Sequence, residues 1–269
     1  IGDVVIQSDH SKMLPDACFP DTTYSGDVVV KKSTLGNFKA VTEGYGIDMS
    51  YNVISKKQEI TIPSGNTTFC TDMEDNAKMM YVKSQCELNS RPPRVSEYAM
   101  PLMASNPVNP VVDHIENIKW DGRSRFDEVI SFVTVDPEYK ELWDMAFKRW
   151  LIQCYAAADN GEHSGCARAR PKFEYVLILI GSQGVAKTSF FNWSIPKALK
   201  EYFADGLHLE PDNKDSVTIA ISNWIAELGE MESTTKKSGQ SQLKAFLSKE
   251  EDILRLPYAR APSTMKRRT

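Results

Sequence analysis

The sequence predicts an α/β protein with a parallel-sheet core over residues 171–269, a mostly helical subdomain over 91–170 and a small mixed α/β region over 1–90. Three observations carry this reading. An unbroken apolar run, Tyr175 to Ile180, has the length and β-branched character of a strand buried on both faces, as strands of parallel sheets are. A glycine-bearing turn and a helix start follow it directly. Ahead of both, between Asp136 and Asn160, apolar residues recur at helical spacing.

Composition sets the outer bounds. A chain of 269 residues, 41% hydrophobic and 25% charged, is an ordinary globular polypeptide with room for about two domains. A net charge of −4 excludes a globally basic nucleic-acid binder, so any such surface has to be local. One candidate is the closing segment, where Arg255, Arg260, Lys266, Arg267 and Arg268 occur with no acid, a pattern that otherwise marks a solvated end. The five cysteines are widely spaced with no CxxC pair, which argues against both a disulfide framework and a zinc site. His163 and Cys166, three apart, lack a second ligand pair. No apolar run reaches the ~20 residues a membrane span requires, and no signal segment opens the chain, so a cytoplasmic location and no membrane partner are expected. An Ile at position 1 and a basic last run read as the ends of a piece of a longer polypeptide.

In chain order, Tyr51 to Ile62, with Lys56 and Lys57 between two β-prone runs, reads as a hairpin. The polar stretch Ser64 to Asn76 and the Arg91-Pro92-Pro93 break then separate the N-terminal region from the helical one. Val111, Val112, Ile115 and Ile118 suggest a helix closed by the turn-forming Asp121-Gly122. Tyr139, Leu142, Trp143, Ala146, Phe147, Trp150, Leu151 and Cys154 share one face of a long helix, with Asp136 as cap, Pro137 at its first position and Asn160-Gly161 as its stop. That face reads as the core of a helical subdomain, not as a base-stacking surface. Trp224, Ile225 and Ala226 fit a second strand of the sheet, and Leu243, Phe246 and Leu247 fit one face of a helix.

The chemistry lies behind the apolar run. Gly181, Ser182, Gln183, Gly184, Val185, Ala186, Lys187, Thr188 and Ser189 match the phosphate-binding pattern GxxxxGK[ST], except that Ala186 holds the place of the second glycine. Such a turn aims successive backbone N–H groups, and the positive end of the next helix, at phosphates. Lys187 would reach the terminal phosphates of ATP and the Thr188 hydroxyl would ligand Mg²⁺. A methyl group at Ala186 is tolerable on near-helical backbone and costly where φ is positive. A loop of this kind also needs an acid at the tip of a neighbouring strand to hold the metal shell, and hydrolysis needs a carboxylate to orient water. Glu227 fits the first role and Glu230 the second, with Glu232 as its substitute.

The order Ile118-Lys119-Trp120-Asp121-Gly122-Arg123-Ser124-Arg125, the loop at 181–189, Trp224 to Glu230, Leu243 to Leu247 and Leu256 to Arg260 resembles the virulence-associated E family, replication proteins of phages and genomic islands. The resemblance covers about residues 19 to 269 and is specific from Trp120 onward. It implies a P-loop NTPase of superfamily 3, AAA+-like, that drives a motor on single-stranded or forked DNA, working as a homo-oligomeric ring beside other replication proteins. In such a ring Arg260, with Arg255 as runner-up, completes the neighbour's catalytic site. The sequence departs from the family pattern at Ala186 and stops before its Thr-Thr-Asn sensor segment. The expected function is therefore an ATP-dependent DNA helicase or replication-initiator motor. The alternative is a nucleotide-gated DNA- or protein-binding module without unwinding activity.

Overall fold

The computed structural model describes residues 10–63, 73–89, 95–162, 176–229, 237–254 and 261–269. The chain divides into two compact units, one formed by residues 1–52 and 56–108 and the other by 53–55 and 109–269.

In the first unit, β1 (Thr22–Ser25) and β2 (Val28–Lys31) form an antiparallel hairpin. Thr34 caps α1 (Leu35–Gly44) by accepting the Asn37 N–H at 3.2 Å. Then β3 (Asp48–Asn52) and β4 (Lys57–Thr61) make the antiparallel hairpin expected from Tyr51 to Ile62, with Lys56 in the left-handed region at φ 60° closing its turn. After α2 (Glu74–Asn89) and α3 (Val95–Ala104), the short β5 (Pro107–Val108) joins β3 in parallel. Phe38, Val41, Val82, Cys86 and Met103, each no more than 1% exposed, fill the core between the helices and the sheet. Asn89 ties the N-terminal strands of chain to it, accepting from the Leu14 N–H and donating to the Tyr45 hydroxyl, both at 2.6 Å.

The second unit opens with α4 (Pro110–Asn117), capped by Asn109, whose side chain accepts the Val112 N–H. Val111 and Val112 are fully buried, as the periodicity predicts, while Ile118 lies past the helix end and is exposed. After α5 (Phe126–Ser131) comes α6 (Lys140–Asp159), preceded by a 3₁₀ turn at Pro137–Tyr139 and ended by Asn160 in the left-handed conformation. Trp143 and Phe147 are buried and stack on one another, with Trp150 and Phe190 packed around them, so the aromatic face is core. The inward stripe is narrower than the sequence suggests, because Tyr139, Leu142 and Leu151 are exposed.

The sheet expectation requires correction. Residues 176–180 form no strand; Leu177 and Leu179 pack on the aromatic cluster while Val176, Ile178 and Ile180 are exposed. A run that alternates between a packed face and solvent lacks the two-sided burial of a central parallel strand. The parallel element present among the described residues of this unit is a single pair, β6 (Phe203–Leu207) with β7 (Ile225–Leu228), linked through α8 (Lys214–Ile221). Among the described residues the fold is a mixed α/β arrangement of small sheets and helices in which no P-loop parallel-sheet core is evident. Helix α7 (Lys187–Ser194) precedes β6, and α9 (Lys237–Leu247) follows β7, with Leu243 and Phe246 buried beside Ile221 and Leu254. The chain closes with the antiparallel pair β8 (Glu251–Leu254) and β9 (Ser263–Lys266). Among the described residues no helix is long and apolar enough to cross a membrane.

Candidate nucleotide site

The loop between the apolar run and α7 is exposed from Gly181 to Ala186. Gly184 turns at φ 84° and Ala186 at φ 59°, ψ 31°, both left-handed. Alternating handedness of this kind turns backbone N–H groups inward into an anion-binding concavity. Ala186 is the N-cap of α7, its carbonyl accepting the Phe190 N–H at 2.9 Å. It supplies no side-chain cap, so the first-turn N–H groups of the helix lack the partner that Ser, Thr or Asp would give. The cost flagged in the sequence is therefore real. A methyl-bearing residue sits where left-handed backbone disfavours it.

Lys187 folds back over the loop, its Nζ donating to the carbonyls of Gly181 and Ser182, each at 2.9 Å. The ammonium is thus held at the mouth of the turn. Thr188, one residue into the helix, donates from Oγ1 to Glu227 Oε1 at 2.6 Å across 39 residues of chain. β7 places Glu227 there, and its end is fixed by the Gly229 N–H bond to the Leu207 carbonyl at 3.1 Å. Gly229 is closely fitted at this point, since a Cβ on it would lie 3.2 Å from the Cα of Gly206 on β6.

The other oxygen of Glu227, Oε2, is buried and has no hydrogen-bond partner among the described residues. An acceptor left unsatisfied in this way costs free energy unless a cation or donor completes it. A hydroxyl and a carboxylate in contact, one carboxylate oxygen spare, make a hard-oxygen donor set of the type that holds Mg²⁺ with additional waters. Thr188 and Glu227, assigned separately in the sequence to the metal shell, are thus brought together. The structure also places Gly181, Ser182, Gln183, Gly184, Val185, Ala186, Lys187, Thr188 and Ser189 in one loop and helix start. Glu230, Glu232, Arg255 and Arg260 lie outside the described residues, as do His163 and Cys166.

The basic tail has a role the sequence does not reveal. Arg267, 9% exposed, makes a bidentate pair with the buried Asp252, donates to the Phe246 carbonyl and lies 4.0 Å from the Phe246 ring centroid. Arg268 donates to the Ala158 carbonyl at 2.6 Å and pairs with Glu162 at 2.7 Å, and Lys266 reaches the same carboxylate at 2.9 Å. Burial opposes ionisation of Glu162, but Arg268 and Lys266 outweigh it and lower its pKa. Arg267 and Arg268 are consequently buried ion-pair partners and Lys266 an exposed one, so the three basic side chains face carboxylates of this chain. Their partners are remote in sequence, so no spacing announces them.

A turn that exposes backbone donors at a helix start, a lysine over it and a strand-borne acid on the adjoining hydroxyl are the parts of a phosphate-binding loop. Residues 115–269 match the virulence-associated protein E-like domain, more than half of the chain, and the chain belongs to that family. No curated protein matches it.

Proposed function

We propose that this chain binds ATP with Mg²⁺ and hydrolyses it as the motor of a phage or mobile-element replication protein acting on DNA. The observation that carries the reading is the Thr188–Glu227 contact, which joins the helix start of the loop to the acid of a parallel strand. Membership of the virulence-associated protein E-like family supports the replication setting.

On this reading the loop amides and Lys187 grip the phosphates, while Thr188 and Glu227 hold the cation. Bound there, Mg²⁺ would neutralise charge developing on the transferred phosphoryl group. Glu227 keeps its carboxylate on the metal side through the Thr188 bond, which leaves water orientation to Glu230, just beyond β7. Arg260 from a neighbouring copy would stabilise the γ-phosphoryl charge, its permanently charged fork being suited to that task.

The test separates binding from chemistry. Lys187→Ala is expected to lose ATP affinity, read by a fluorescent ATP analogue, with circular dichroism unchanged; unaltered affinity would sink the assignment. Glu230→Gln is expected to bind ATP and lose ~10²–10⁴-fold in turnover, the usual effect of removing a general base. If the unmodified chain binds ATP and turns none over with or without DNA, the nucleotide-gated binding module replaces the motor.

A further inference from the structure

Residues 116–125, which carry the chain from α4 to α5, are exposed without exception. At their centre Trp120 is 79% exposed, whereas Trp143 and Trp224 are buried. An indole left in water is an unusual use of the largest apolar side chain, and it marks a surface that meets something. Within the segment itself Ile118 is the one other large apolar side chain. That is too little for a protein-docking patch, which is built on a contiguous apolar centre.

The segment is nevertheless built. Gly122 turns at φ 81°, and Asp121 accepts the Arg123 N–H at 3.0 Å and both terminal nitrogens of Arg125, at 3.2 and 2.5 Å. The side-chain bond to Arg125, reinforced by the Arg123 N–H, holds the Asp121 carboxyl at about 2, so the clamp stays charged. Asp121 and Arg125 neutralise one another. Lys119 and Arg123, one and three residues from Trp120 in the chain, are ion-paired with none of the described residues, while the next acids in the sequence, Glu116, Asp127 and Glu128, belong to the flanking helices. An exposed ring with two cations close to it in the chain, unpaired among the described residues and on a preformed turn, has the chemistry to stack on an unstacked base and contact adjoining phosphates.

We propose that the turn at residues 118–125 is a contact for single-stranded nucleic acid, with Trp120 stacking on a base and Lys119 and Arg123 on the adjoining phosphates. The choice of nucleic acid as partner rests on the motor reading above, and the experiment keeps the two apart. Fluorescein-labelled oligo(dT) is titrated into the full chain by anisotropy, and ATP-analogue binding is measured on the same preparations. Trp120→Ala is expected to weaken oligo(dT) binding about ten-fold, within the range seen for loss of one stacking ring. Trp120→Phe should restore most of it, and Trp193→Ala, which removes the other strongly exposed tryptophan ring, should leave it unchanged. Lys119→Ala and Arg123→Ala should each flatten the salt dependence by about one phosphate contact. Oligo(dT) binding equal in Trp120→Ala and the parent, or absent from the parent, overturns the proposal even where ATP binds. Weaker self-association of Trp120→Ala with unchanged oligo(dT) binding overturns it in favour of a contact between protein copies. Loss of ATP binding alone overturns the motor reading and leaves this one standing.

Discussion

Ala186 shows how one methyl group sets the energetics of the loop that leads into α7. At φ 59° it occupies a conformation that costs a non-glycine residue about 1–2 kcal/mol, against roughly 0.5–1 kcal/mol of extra chain entropy that a glycine would lose on folding. Ala186→Gly is therefore expected to raise stability by up to about 1 kcal/mol in thermal unfolding without lowering ATP affinity. Ala186→Val, β-branched at positive φ, should do the opposite in both measurements. A glycine variant less stable than the parent would show that the turn is not left-handed here. Two cysteines give a second residue-scale test. Burial pushes the thiols of Cys86 and Cys154 up to about 12, so neither supplies thiolate to an alkylating reagent near pH 8 until the chain unfolds. The sign follows from the protonated form being favoured by folding. Their contribution to stability is intact below the ordinary thiol value of about 8.5 and declines as pH rises towards 12. Mass-mapped alkylation in native buffer that labels either site would contradict this.

At the scale of elements, β6 and β7 matter because their register aims Glu227 at Thr188. Gly229→Ala would press a methyl against the Gly206 backbone, which cannot rotate away as a side chain can. A loss of about 1–3 kcal/mol, usual for overpacking, is expected, together with a higher Mg²⁺ requirement for ATP binding. Unchanged Mg²⁺ dependence would mean that the strand pair does not position the acid. The same element shows what a sequence can and cannot convey. Helix α6 and the β3–β4 hairpin are legible because their signals are local: helical spacing with a left-handed stop at Asn160, and turn residues between β-prone runs. Thr188 and Glu227 are each named from the sequence because the loop pattern calls for a hydroxyl and a strand-borne acid, and their contact is what the structure adds. The run at 176–180 is not, since continuous hydrophobicity does not say whether one face or two will find a partner, and here Leu177 and Leu179 find the aromatic cluster. Exposure of Leu142 on α6 escapes periodicity for the same reason.

Across the second unit as a whole, the last residues of the chain act as a clasp. Asp252 on β8, 4% exposed, is bonded by Arg267 through three contacts of 2.6 to 2.9 Å, and Arg268 reaches back over 109 and 110 residues to the carbonyls at the end of α6. Removing one member of a buried pair strands the other charge in a medium that cannot hydrate it, which costs about 3–5 kcal/mol. Replacing both with apolar residues removes that penalty and is often near neutral. Arg267→Met alone should thus lower the denaturation midpoint sharply, whereas Arg267→Met combined with Asp252→Leu should recover most of the loss. Added salt should leave the Arg267 pair nearly untouched while weakening the more exposed Lys266–Glu162 pair. Acid should act through Glu162, whose lowered pKa means that its contribution is present above the ordinary glutamate value and fades as pH falls through the folded one. A double variant no more stable than Arg267→Met in urea would show that the loss comes from packing on the Phe246 ring, 4.0 Å from the guanidinium, and not from a stranded carboxylate.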